Sequence, residues 1–94
     1  SGGDPLYPGN RREIRELAKE IKERYPKKTI WMYTGSLWES VKQFDVMRYV
    51  DVLVDGEYQC DKRDTQLHWR GSSNQRVINV PESLRTGQVV LHCE

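Results

Sequence analysis

The chain has 94 residues and a formal net charge of +1, with 36% hydrophobic and 31% charged residues. This length suits one small domain, and the near-neutral charge gives no global electrostatic reason to bind nucleic acid or a membrane surface. No apolar run approaches the roughly 18 residues of a membrane-spanning helix. The composition therefore predicts a globular domain whose partners are neither nucleic acid nor membrane.

An amphipathic helix is predicted directly after the glycine-rich opening SGGDPLYPGN. In residues 10–25, apolar side chains recur at i, i+3, i+4 and i+7, while charged residues fill the other face. Asn10 suits the N-cap, and Pro26 disfavours helical geometry at the residue before it. The apolar stripe consists of Ile14, Leu17, Ala18 and Ile21.

Two segments after this helix have the composition of buried strands. TIWMYT at 29–34 is β-branched and aromatic, and VDVLV at 50–54 is almost entirely apolar. Between them, SLWE has the spacing of a capping box between Ser36 and Glu39. This pattern predicts a short second helix from Ser36, followed by another turn through DVMRY.

The C-terminal third contains two shorter strand patterns. RVINV at 76–80 and QVVLHC at 88–93 are apolar and β-branched. The intervening PESLRTG predicts one helical turn closed by Gly87. Upstream of these segments, QCDKRDTQ has the composition of a polar loop.

The alternation of strands and helices predicts an α/β fold with parallel strands and right-handed crossover helices. The polar clusters SGGDP, YTGS and VDGEY then fall at carboxyl ends of strands along one rim, where such folds place their sites. Each cluster alone is also ordinary turn chemistry. A fourth cluster, HWRGSSNQRV, offers amides for hydrogen bonding and Arg70 for a carboxylate or phosphate. The alternative for this cluster is an elaborate turn in which Trp69 plugs the core.

Metal and disulfide chemistry find little support in the cysteines and histidines. Cys60 and Cys93 are far apart and form no CxxC motif, and His68 and His92 have no partner at ligand spacing. We therefore expect no zinc site. No secretion signal is recognisable, which favours reduced thiols in the cytoplasm over a disulfide.

Taken in order, SGGDPL, WMYTG, VDVLVDGEY and WRGSSNQRV resemble the C-terminal portion of the anaerobic ribonucleoside-triphosphate reductase activating proteins. These are radical S-adenosylmethionine (SAM) enzymes, and the resemblance extends to about Val80. It implies an α/β fold that is a partial radical-SAM-type barrel. It also implies a parent enzyme that uses a 4Fe-4S cluster and SAM to generate a glycyl radical on the large subunit of the reductase.

The resemblance implies roles for particular residues. The SGGD segment is similar to the GGE-type motif that holds the amino group of the SAM methionine. The second and third clusters lie where related enzymes place groups near the SAM ribose or an associated cation. The residues thereby expected to bind the cofactor are Gly2, Gly3, Asp4, Thr34, Gly35 and Asp55. A loop that contacts the cofactor or the reductase is expected to contain Trp69, Arg70, Gly71, Ser72, Ser73, Asn74 and Gln75.

The sequence departs from the family at the cluster. The CxxxCxxC motif that holds the family's cluster is absent, and Cys60 and Cys93 cannot replace three grouped thiolates. We therefore expect residues 1–94 to form a single domain from the C-terminal part of an activase, without the N-terminal cluster-binding segment. Such a fragment has no catalytic residue or metal site of its own, is inactive by itself and binds SAM weakly.

A fragment of this kind also exposes a strand edge where the missing half docks, and open edges favour association. We therefore expect the chain to self-associate. Two alternative functions stay open at this point. One is a stand-alone, non-catalytic α/β module that binds a protein or nucleotide. The other is an activase of a different glycyl-radical enzyme, such as pyruvate formate-lyase, against which the WRGSSNQ string argues.

Overall fold

The computed structural model describes residues 6, 9–56 and 74–92 of the chain. The helices are α1 (Arg11–Arg24), α2 (Trp38–Val41) and α3 (Val80–Thr86), and the strands are β1 (Trp31–Tyr33), β2 (Val52–Asp55) and β3 (Arg76–Asn79). A 3-10 helix over Asp45–Arg48 lies between α2 and β2. No helix in the described ranges is both long and apolar enough to cross a membrane.

Helix α1 forms where its apolar period predicts. The Tyr25 backbone N–H closes the last turn by donating to the Ile21 carbonyl at 2.7 Å. Asn10 occupies the N-cap position, although its side chain makes no capping hydrogen bond. Within the apolar stripe, Ala18 is buried against the core, whereas the Leu17 side chain remains 53% exposed. The described residues therefore cover only part of the apolar face of α1.

The strands form one sheet in the order β1-β2-β3. Strand β1 pairs with β2 in parallel, with Met32 opposite Leu53, as the α/β prediction requires. Strand β3 differs from the prediction, because it pairs with β2 antiparallel and places Ile78 opposite Leu53. An antiparallel pair needs no crossover helix between its strands, and the sequence QCDKRDTQ between β2 and β3 is predicted to be a polar loop. Residues 57–73 themselves lie outside the described residues.

Helix α3 is longer than the single turn expected from its sequence, because both of its ends are capped. The Asn79 side chain accepts a hydrogen bond from the Glu82 backbone N–H at 3.1 Å. At the other end, Gly87 has the left-handed φ of 76° that favours glycine, as predicted. These caps stabilise a seven-residue helix.

The predicted last strand is reduced to an isolated pairing beside β3. The Asn79 N–H donates to the Val90 carbonyl at 2.8 Å, and Ile78 forms a single antiparallel bridge with Leu91. The carbonyl of Val90 is thus held against β3, although residues 88–92 do not form a regular strand.

The hydrophobic core lies between the sheet and the helices packed on it. Leu53 at the centre of β2 is fully buried and is flanked by Ile78 on β3 and Met32 on β1. Every buried side-chain nitrogen or oxygen in the described residues has a hydrogen-bond partner. Helix α2, the 3-10 helix and α3 also contribute to this core, with Trp38, Val41, Val46, Met47 and Val80.

Candidate functional site

The carboxyl ends of β1 and β2 lie side by side and bring two of the predicted polar clusters together. The Thr34 backbone N–H donates to the Val54 carbonyl at 3.0 Å, and the Gly56 N–H donates to the Ser36 carbonyl at 2.9 Å. Within residues 34–36, which we call the 34–36 turn, the Ser36 N–H donates to the Thr34 hydroxyl at 3.1 Å. Both ends of the 34–36 turn are therefore hydrogen-bonded to the end of β2 and the residue after it.

The described end of the fourth cluster packs against the same rim. Gln75 is buried, and its side-chain amide donates to the Gly56 carbonyl at 2.9 Å. Gly56 has a φ of 92°, and a Cβ there would lie 3.6 Å from the Asn74 carbonyl oxygen. A glycine is favoured at this position because L side chains rarely adopt this backbone conformation.

Asp55 ends β2 and is completely buried beneath this rim. Its Oδ2 accepts a hydrogen bond from the Trp38 backbone N–H at 2.8 Å. Its Oδ1 accepts from the Arg76 backbone N–H at 3.2 Å and from Arg76 Nε at 3.1 Å. Arg76 Nη2 also donates to Oδ2. The buried carboxylate is therefore neutralised and hydrogen-bonded within the chain, as a buried charge requires.

Arg76 extends this network to helix α2. Its Nη2 donates to Glu39 Oε1 at 2.8 Å, and its Nη1 donates to Glu39 Oε2 at 3.3 Å. The hydrogen bond from Arg76 holds the pKa of Glu39 below its usual range. The pKa of Arg76 is raised, mainly by its hydrogen bonds to Asp55 and to a lesser extent by those to Glu39. The Glu39 side chain is 55% exposed, so water screens the outer pair, whereas the inner pair with Asp55 is shielded.

The predicted capping box between Ser36 and Glu39 is wrong. Helix α2 begins at Trp38 with Leu37 at the N-cap, and no side chain of the N-cap residue caps it. Asp55 supplies the cap from the neighbouring strand instead, and Glu39 turns to Arg76. Arg76 stands in the HWRGSSNQRV cluster, but neither Arg76 nor Glu39 was among the residues predicted to contact the cofactor or the reductase.

Of the predicted site residues, the structure gathers one group at this rim and leaves another outside the described ranges. The ligand contacts expected of both groups stay predictions. The group at the rim comprises Thr34, Gly35, Asp55, Asn74 and Gln75. The group outside the described residues comprises Gly2, Gly3, Asp4, Trp69, Arg70, Gly71, Ser72 and Ser73.

The donor set does not fit an iron–sulfur cluster. Within the described ranges, no group of three or more His, Cys, Asp or Glu side chains could hold a metal ion. The whole sequence contains two cysteines, which is fewer than the three thiolates that the family's cluster motif supplies. At the rim, Gly35 and Ser36 are exposed beside the buried ion pair of Asp55 and Arg76.

Comparison with known proteins shows the family. Residues 1–78 match the family model of a 4Fe-4S single cluster domain. The chain is 49% identical over 77 residues to the anaerobic ribonucleoside-triphosphate reductase-activating protein of Enterobacteria phage T4, a match that covers 82% of this chain and 49% of that protein. It is 44% identical over 82 residues to the protein of the same name from Escherichia coli (strain K12), with 85% of this chain and 53% of the relative covered.

These matches are long on this chain and partial on the relatives. A third protein of that name, from Pasteurella multocida (strain Pm70), is 40% identical over 86 residues, which cover 87% of this chain and 54% of the relative. The chain thus spans about half the length of the curated relatives it matches. No solved structure matches it significantly. Because the family model covers most of its residues, the chain belongs to the 4Fe-4S single cluster domain family.

Proposed function

We propose that this chain is the C-terminal part of a cytoplasmic activating protein for anaerobic ribonucleoside-triphosphate reductase. The proposal is supported by relatives that carry this name and are 39% to 49% identical. In the complete protein, a 4Fe-4S cluster and SAM would together generate the glycyl radical on the large subunit of the reductase. The cluster thiolates would come from a CxxxCxxC segment outside these 94 residues, so the chain alone would be inactive.

The observation that carries the proposal is the rim at the carboxyl ends of β1 and β2. There the 34–36 turn, Asp55 and Gln75 come together although they are distant in sequence. Parallel α/β sheets place their ligands at such an edge. We propose that this rim takes part of SAM, with Thr34 and Gly35 on the described side and the SGGD segment completing the site.

We predict that the isolated chain binds SAM more weakly than the micromolar range. The reason is that the cluster of the complete enzyme would chelate the amine and carboxylate of the SAM methionine, and this chain lacks the thiolates to hold a cluster. The measurement is isothermal titration calorimetry of iron-free chain with SAM, with adenosine as a matched ligand that lacks the methionine. Micromolar or tighter binding of SAM to the iron-free chain would contradict the proposal that the cluster supplies much of the affinity for SAM.

We also propose that the isolated chain pairs with a second copy of itself through the face formed by α1 and β1. An apolar groove of about 430 Å³ runs between these elements, and Leu17 and Tyr33 beside it are 53% and 50% exposed. In the described residues, β1 is the last strand on its side of the sheet. Apolar surface at a sheet edge favours association.

Light scattering at increasing concentration tests this pairing. We expect the mass to rise above that of a monomer, and Leu17→Lys to restore the monomer because it places a charge in the groove. Leu91→Lys is the matched control, since Leu91 is 61% exposed and lies beside β3. A clean monomer of the unmodified chain at high concentration would rule the pairing out.

A further inference from the structure

We propose that the guanidinium of Arg76, held between Asp55 and Glu39, positions the 34–36 turn. Asp55 then acts as a positioning residue at the rim, and not as a group that contacts a ligand or cation. The relevance of the turn to SAM rests on the proposed function, whereas its placement by Arg76 does not.

The first step is that the carboxylate of Asp55 is saturated. A carboxylate has about four acceptor positions, and Asp55 accepts hydrogen bonds from four N–H donors, which are the backbone N–H groups of Trp38 and Arg76 and Nε and Nη2 of Arg76. Asp55 is also fully buried. A ligand could reach this carboxylate only by displacing one of these donors, and a displaced buried donor would be left unsatisfied.

The second step connects Asp55 to the turn. The bond from the Trp38 N–H to Asp55 fixes the first residue of α2, directly after the 34–36 turn and Leu37. The Gly56 N–H, one residue after Asp55, holds the Ser36 carbonyl. Two adjacent residues of the β2 end therefore bind both the turn and the helix that follows it. A movement of the Asp55 carboxylate would therefore act on the start of α2, which follows the turn after Leu37.

The third step assigns the orientation of Asp55 to Arg76. The guanidinium contacts Asp55 with Nε and Nη2 and contacts Glu39 with Nη1 and Nη2. It therefore joins the end of β2 to the first turn of α2. The planar fork of an arginine can bind both carboxylates at once, whereas a lysine ammonium is a point charge and would not reproduce this geometry. The positive charge that the buried carboxylate needs is thus supplied by the chain itself.

Amide hydrogen exchange followed by NMR tests this inference on the chain without any cofactor. In Arg76→Gln, we expect exchange at the Trp38 amide to accelerate about tenfold or more relative to exchange at the Leu53 amide, because the charged hydrogen-bond network that orients Asp55 is lost. Arg76→Lys should recover part of the protection. Glu39→Gln changes a half-exposed side chain, leaves the core intact and should give a smaller acceleration at the same amide.

The matched control is Arg85→Gln, which removes an exposed arginine paired with Glu82 on α3. This substitution should leave the exchange rate of the Trp38 amide unchanged. Equal acceleration at Trp38 and Leu53 in Arg76→Gln would mean that Arg76 stabilises the whole fold and would overturn the inference. The inference would also be overturned if the exchange rate of the Trp38 amide stayed unchanged in both Arg76→Gln and Glu39→Gln. Because no cofactor is added, a failed SAM titration and a failed exchange experiment are separate results.

Discussion

Replacing Asp55 with alanine should lower the free energy of unfolding by about 3 kcal/mol. Removing one partner of a buried ion pair costs roughly 3 to 5 kcal/mol. The change deletes the acceptor of the Trp38 N–H and leaves Arg76 without its inner partner. The Arg76 side chain is 33% exposed, and water reaching it should keep the loss near the lower end of that range. Urea denaturation followed by tryptophan fluorescence measures the effect.

The matched control for this substitution is Asp45→Ala. The Asp45 side chain is 60% exposed and is paired with Arg15 at 3.4 Å, so its loss should change stability by less than about 1 kcal/mol. Combining Asp55→Ala with Arg76→Met should cost less than the sum of the two single changes, because the two side chains interact directly. If Asp55→Ala and Asp45→Ala have equal effects, the buried network does not stabilise the rim.

Replacing Leu53 with alanine should lower the free energy of unfolding by about 3 kcal/mol. Leu53 is fully buried at the centre of the sheet, between Met32 on β1 and Ile78 on β3. The substitution leaves a cavity in the core on the face of β2, where the surrounding side chains are closely packed. Thermal and urea denaturation should both report the loss.

Leu84→Ala is the control for the core substitution, because it makes the same chemical change on α3 at a side chain that is 44% exposed. We expect it to cost under about 1 kcal/mol. A similar loss for the two leucines would show that β2 is not the centre of the core.

Much of the fold could be predicted because its signals are local in the sequence. The period of apolar residues gave α1, the two β-branched and aromatic runs gave the parallel pair β1 and β2, and Gly87 marked the end of α3. The direction of β3 was the main difference. A rule of strand and helix alternation predicts parallel pairing and does not weigh the polar-loop composition predicted for QCDKRDTQ between β2 and β3.

The site was predicted only in part, because its central contacts join residues far apart in the chain. Arg76 lies 21 residues from Asp55 and 37 residues from Glu39. The same distance explains the wrong capping box, since the cap of α2 comes from Asp55 on another strand. A buried aspartate at a strand end and an arginine at the next strand start were the signals available, but turn residues share this composition.

The central claim is that this chain supplies the cofactor rim of an activating protein but not the thiolates of its cluster. Electron paramagnetic resonance of the glycyl radical on the reductase large subunit tests it most directly, after anaerobic incubation with SAM and a reductant. One sample contains this chain alone. The other contains a fusion in which the part of the phage T4 relative that this chain does not match precedes Ser1. We predict a radical signal with the fusion and none with the chain alone. A radical formed by the chain alone, or none formed by a fusion with a complete cluster, would contradict the claim.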